Sequence, residues 1–441
     1  MGKKSKAIRG AAYFVPLVWI ALLLVLSDDL SPWLRIAGAT VGLLYAIKIG
    51  SWLLLALKDE KLSLSPVQTL VYWTAWPSVR PDSFVNAERE PDAREFVRGY
   101  SFGVVGVVLV AGTVLATPYI GENIGSWLMI FGLLSTFHFG VGTVMPFALR
   151  WAGVPAPSLF NRPLRSQGVG DFWSNRWNLP FVEMNRLFIT RPLGVRFGIG
   201  VSAVTAFLVS GFLHEMAISY AADAGWGTPF LYFVVQGVAY YAEQRYFPED
   251  DGDGSGGFSL FRSLWTWAIV LLPLPLLFHA PFRGTFIVPI IDVLDTLVFA
   301  YPLSDYLEAA LWVGAAGHFL VLGASFQVPE ELEWRDDLES LKPLNRKLMW
   351  TYGGFIVLTI VSFGVLTAAF HGEFVAGNPV ALGVSAVIAV FWTARIVVDF
   401  LYFSHDDWPE GVKYVVGHAM LTSLFVLLVA IYGATVVFHL T

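Results

Sequence analysis

Eleven apolar runs, each near the length a helix needs to cross a hydrocarbon core (about 20 residues), constrain this chain more than any other feature. They fall at roughly 11–27, 34–57, 100–120, 124–148, 199–221, 228–247, 262–282, 307–326, 347–370, 379–403 and 414–438. Away from water every backbone polar group must be satisfied within its own segment, so each run is expected to be a helix. Composition agrees. Hydrophobic residues make up 56% and charged residues 14%, against roughly 25% charged in soluble domains. The expected fold is an all-α polytopic membrane protein with about 11 transmembrane helices. A shorter run at 286–302 carries two aspartates and two prolines and is expected to be re-entrant or interfacial.

Positive charge alternates by side along this map. Lys3, Lys4, Lys6 and Arg9 flank the first run; Lys58, Lys61, Arg80, Arg89, Arg94 and Arg98 follow the second; seven arginines follow the fourth. The turns SDDLSP, GEN and ADAGWG hold no Lys or Arg, which places the N-terminus inside. If 286–302 does not cross, the basic loop 327–346 also falls inside. The N-terminus resembles a signal peptide, but no small-residue cleavage site follows and a second apolar run does, so it reads as a retained helix. The Met-Gly start lacks the Ser or Thr of a myristoylation motif. With no cysteine, disulfides, thiolate metal sites and a cysteine nucleophile are excluded. Residues 248–257, PEDDGDGSGG, read as a solvated linker; the closing glutamate of an EF-hand is missing. No internal repeat, dinucleotide fingerprint, P-loop or nucleic-acid signature is present.

Two stretches carry chemistry. Between the fourth and fifth runs, 149–198 holds Arg150, Arg162, Arg165, Arg176, Arg186, Arg191 and Arg196 against Asp171 and Glu183, interleaved with Phe and Trp. This predicts amphipathic interfacial helices, with Asp171 capping one and Trp173 and Trp177 sharing a face. An aromatic belt with positive-inside charge explains the composition; a site for a polyanionic, partly apolar ligand explains the length. The second stretch is SGFLHEMAIS, 210–219. His214 lies about 14 residues into its run, roughly 20 Å deep, and an ionisable group there is a functional candidate. Glu215 points about 100° away, Ser210 shares the face of His214, and Gly211 admits a neighbouring helix. The alternative for His214 is a histidine hydrogen-bonded between helices. His138 is a further polar intrusion, suited to lining a tunnel or bonding across helices.

Together, DFWSNRWN (171–178), FLVSGFLHE (207–215) and VVQGVAYYAEQ (234–244) resemble the wax synthase branch of the membrane-bound O-acyltransferase superfamily. The matching positions are Asp171, Phe172, Trp173, Arg176, Trp177 and Asn178, then Ser210, Gly211, His214 and Glu215, then Gln236, Gly237 and Glu243. The resemblance covers roughly 135–247. It implies a helical bundle around a central tunnel, with His214 and Asn178 catalytic. It also implies acyl-CoA as co-substrate, with no other cofactor and no metal, and a hydroxyl acceptor, first a long-chain alcohol. His214 then acts as general base, Asn178 steadies substrate or oxyanion, and the arginines of 150–196 hold CoA phosphates. Asp171, Trp173, Arg176, Trp177, Ser210, Glu215, Gln236 and His138 complete the expected substrate- and donor-binding set. Ser210 as an acylated nucleophile is the variant mechanism. The chain departs from the family at Ser174, often glycine, and in the glycine-rich 166–170, where the family has a Ser-Leu pair.

The expected domains are an acyltransferase core, 1–305, and a C-terminal four-helix extension, 306–441. In the extension, Arg395 and Asp399 are four apart and are expected to neutralise each other; His318 and His418 read as structural, with haem or metal ligation the alternative. The rival function is a proton-coupled transporter or flippase relaying through His214 and Glu215, but the paired halves of such folds are missing. The expected setting is a bacterial inner membrane.

Overall fold

The computed structural model describes residues 3–26, 29–56, 64–85, 87–246, 259–404 and 410–440. The 248–257 linker, Lys58 and Lys61 lie outside the described residues. Within them the chain is helical, with no strand. Ten helices are long and apolar enough to cross a membrane. In unit one these are α1 (Ala7–Val25), α2 (Pro32–Leu55), α3 (Ala93–Ile120), α4 (Glu122–Trp151), α5 (Gly200–Ala222) and, after α6 (Thr228–Tyr246), α7 (Leu260–Leu277). The others are α8 (Leu303–Glu331), α9 (Pro343–Ala369), α10 (Pro379–Leu401) and α11 (Val412–Leu440).

The eleventh expected crossing is α6. It forms, but Gln236, Glu243, Gln244, Arg245 and four tyrosines take it below the apolarity of the others. Its buried polar side chains are spent on neighbouring segments, as described below. The 286–302 run belongs to a helical stretch over 280–298. That stretch carries Arg283, Asp292 and Asp295 and is not among the ten.

By its contacts the chain divides into Met1–Leu294 and Asp295–Thr441. In the first unit α1 pairs with α2, α3 with α4, and α5 with α6. The α3–α4 pair closes on glycine: a Cβ on Gly140 would stand 2.8 Å from the Gly103 Cα, the close approach that small residues permit. Two buried cations are absorbed by structure here. Lys48 donates to the carbonyls of Tyr72 and Trp76, at the end of helix Pro66–Thr74, where a cation meets the negative pole. Arg150, 2% exposed, donates to Glu95, Ser158 and the Ala156 carbonyl. Removing Glu95 would leave that buried guanidinium only the exposed Glu88 carboxylate, at 3.3 Å, and is expected to be destabilising, by up to about 3–5 kcal/mol.

The second unit has its own core, built on Leu311, Ile388, Trp392, Leu428 and Tyr432. His318 sits inside it, donating from Nδ1 to the Gly314 carbonyl and accepting at Nε2 from the Trp392 indole at 3.1 Å. Both ring nitrogens are thereby occupied, which leaves no lone pair for a metal. Arg395 reaches Asp399 at 3.1 Å as its spacing suggested, and His418 approaches the other carboxylate oxygen at 3.5 Å.

Candidate active site

Three elements build the site: the 159–178 segment, the middle of α5, and α6. In α5 the helix widens into a π-turn at Glu215–Ser219, immediately after His214. Such bulges are frequent at functional sites. The His214 Nδ1 lies 2.7 Å from the Ser210 carbonyl. A carbonyl only accepts, so Nδ1 carries the proton and the neutral ring keeps its lone pair at Nε2. Among the described residues nothing bonds that second nitrogen. The ring packs on Phe233 of α6 with centroids 4.4 Å apart.

Ser210 meets His214 through its backbone only. Its hydroxyl donates to the Ala206 carbonyl at 2.8 Å, so the geometry of a Ser–His nucleophile pair is not formed. Gly211 does what its size suggested: a Cβ there would stand 3.2 Å from the Phe230 Cα. One turn from the His214–Phe233 contact, the Glu215 carboxylate accepts from the Phe230 amide at 2.8 Å. It thereby satisfies one of the orphan donors at the start of α6, while its other oxygen is buried without a partner.

The 171–178 motif departs from the amphipathic helix expected. A π-turn at Phe172–Arg176 ends the helix, and Trp177 is extended, with φ −95° and ψ 131°. Trp173 and Trp177 therefore diverge instead of sharing a face. The Trp173 indole donates to Gln236 at 3.1 Å, whereas Trp177 stacks on His138 at 5.8 Å. Asp171 caps nothing; its carboxylate accepts from Arg176 at 2.5 Å and from the Gln167 amide. Asn178 takes a left-handed conformation, φ 42°, which a short polar side chain tolerates. Its side-chain amide is uncommitted among the described residues.

α6 clamps this motif in place. Gln236 is fully buried; it accepts from Trp173 and donates to the Ile269 carbonyl at 2.7 Å. That carbonyl lacks its helical partner because the residue four on is Pro273, which has no N–H. Glu243 accepts from the Gly170 amide at 3.0 Å, and a Cβ on Gly168 would stand 2.7 Å from the same carboxylate. The glycine-rich 166–170 stretch is thus the room the glutamate needs.

No hydrogen bond or ring contact joins Asn178 to His214 directly. A continuous line of rings joins their neighbourhoods: His138–Trp177 at 5.8 Å, Trp177–Phe172 at 5.4 Å, Phe172–Trp173 at 4.9 Å, Trp173–Phe233 at 5.5 Å and Phe233–His214 at 4.4 Å. Sequence reasoning missed Phe233, although it lies three residues before Gln236 on one helix face. Of the seven loop arginines expected at phosphates, Arg150 is buried in an ion pair and Arg176 is held by Asp171. Arg186 donates to the Ser174 carbonyl. Arg162, Arg165, Arg191 and Arg196 remain exposed. In the same loop, burial holds the Glu183 carboxyl above its ordinary 4.5, against the lowering effect of a 2.8 Å hydrogen bond from Ser78.

Residues 156–235, which include both Asn178 and His214, match the model of the membrane bound O-acyl transferase family. A Simmondsia chinensis protein, a long-chain-alcohol O-fatty-acyltransferase, is 28% identical over 125 residues. Over this segment the chain is similar to the membrane-bound O-acyltransferases, and to their wax synthase-like side. That alignment covers 25% of this chain and 35% of the relative. The matched segment holds three of the π-turns, at Phe172–Arg176, Arg186–Thr190 and Glu215–Ser219, the left-handed non-glycine residues Arg162, Asn178 and Asp223, and most of the aromatic line. Gln236, Glu243 and His138 lie just outside the segment but are fastened to it.

Proposed function

We propose that the protein transfers a fatty acyl group from an acyl-CoA to the hydroxyl of a long-chain alcohol, with His214 as general base. The observation that carries this reading is the fixed tautomer of His214, whose anchored Nδ1–H leaves Nε2 free to take a proton. The alcohol O–H gives its proton to Nε2 as its oxygen bonds the thioester carbon. The resulting oxyanion collapses with loss of the C–S bond, and the imidazolium returns the proton to the leaving thiolate. General-base help of this kind contributes about 10²–10⁴-fold. The free amide of Asn178 is suited to donate to the oxyanion. Gln236 and Asp171 act by positioning, since their polar groups are already spent within the protein. The family resemblance supports a central tunnel beside the aromatic line, and the alternation of basic loops supports a cytosolic N-terminus in a bacterial inner membrane. A relay through His214 and Glu215 gains no support, because Glu215 is engaged at the start of α6.

The test is ester formation by full-length protein in detergent, with labelled acyl-CoA and a panel of alcohols, beside His214→Ala. The expected result is a wax ester in the parent and a loss of about 10²–10⁴-fold in the variant. Undiminished ester formation in a folded His214→Ala protein would remove the proposal.

A further inference from the structure

We infer that Arg98, Arg162 and Arg165 form a seat for a phosphate monoester, resting on the acyl-thioester reading above for the ligand's identity but not for the seat itself. The turn at Pro163–Arg165 buries Pro163 and Ser166 and leaves the two arginines that bracket it exposed. It is stiff: Ser166 bonds the Pro163 carbonyl through both its amide and its hydroxyl. Arg162 itself is held left-handed at φ 45°. The turn rides on the signature segment, since the Asn161 amide donates to the Arg176 carbonyl at 2.9 Å and Phe160 packs on Trp177.

The third cation comes from a different element, which is why the loop sequence alone did not reveal it. Ser158 donates to Glu95 at 2.9 Å and so ties the loop to the first turn of α3. Arg98 lies one turn further along the same face. It is half-exposed and within electrostatic reach of both Arg162 and Arg165. The acids nearby are already engaged: Asp92 caps α3 through the Arg94 amide, and Glu95 holds Arg150. Among the described residues, none of the three guanidiniums has an acidic partner in an ion pair. Three planar donor forks on two elements held together by the Ser158–Glu95 bond match a dianion with several acceptor oxygens. Two sources have that chemistry, the nucleotide end of a CoA thioester and the headgroup of phosphatidic acid.

The experiment uses full-length protein with Arg98→Gln, Arg162→Gln and Arg165→Gln, singly and together, each checked by its thermal melt. Adenosine 3′,5′-bisphosphate binding is read by calorimetry, and retention on phosphatidic acid vesicles by flotation. Acyl transfer is compared for palmitoyl-CoA and for palmitoyl N-acetylcysteamine, which has no phosphate. The seat predicts that affinity for one of the phosphate ligands falls about tenfold for each guanidinium removed. If the donor is its ligand, the preference for palmitoyl-CoA over the phosphate-free thioester falls in step; if the lipid is, vesicle retention falls while that preference holds. Variants that bind both ligands as the parent does overturn the seat. Loss of bisphosphate or vesicle binding in a protein inactive with either thioester would retain the seat and refute the transferase reading. Active variants with unaltered binding and preference would do the reverse.

Discussion

Gln236 shows how much of this site rests on single side chains that touch no substrate. Its two ends answer one indole N–H and one carbonyl orphaned by a proline. Gln236→Leu is expected to destabilise the protein by roughly 1–3 kcal/mol for each group stranded. In a double-mutant cycle with Trp173→Phe the losses should be less than additive, read from thermal melts. Strict additivity would mean that the Trp173–Gln236 bond contributes nothing. At Ser210, substitution by alanine keeps the carbonyl that anchors His214 and removes only a hydroxyl already bonded to its own helix. Ser210→Ala is therefore expected to retain most ester formation. A collapse comparable to His214→Ala would make Ser210 the nucleophile.

At the scale of elements, π-turns recur where candidate residues sit. His138 lies in one, Trp173 and Arg176 in another, and His214 opens a third. Hydropathy does not register them, because a widened turn changes which way side chains point without changing which residues are apolar. The short helix Leu179–Asn185 offers a pH test. Burial raises the Glu183 carboxyl above 4.5, so its stabilising form is the neutral one. That contribution is complete below the ordinary value and is lost as pH rises through the folded one. Glu183→Gln stays neutral and still accepts from Ser78. It should melt higher than the parent at pH 7, with the gap closing below 4.5. A constant gap across that range would contradict the assignment.

At the scale of the whole chain, 295–441 has a self-contained core with its own polar pair, His318 and Trp392. Expressed by itself in membranes, this segment is expected to fold and melt cooperatively in detergent. His318→Leu should lower that melt, because the indole N–H of Trp392 would lose its acceptor at a cost of roughly 1–3 kcal/mol. A non-cooperative melt of the parent segment would show that its core depends on residues before 295.

Helical character, ten of the eleven expected membrane spans and the chemical types of the candidate residues are local properties, and the sequence alone determined them. Long apolar runs leave a chain in lipid no other way to satisfy its backbone, and the His214 and Asn178 motifs are contiguous in sequence. Tertiary structure decided what depends on partners far along the chain. It took Arg150 out of the anion-binding set by pairing it with Glu95, 55 residues away. It made Gln236 a clamp by bringing Trp173 and Ile269 to its two ends. It also tied the arginine-bearing loop to the turn of α3 that precedes Arg98, through the Ser158–Glu95 bond. Hydropathy and periodicity report which face of a segment is apolar; whether a charge is free or spent depends on which distant group packing places beside it.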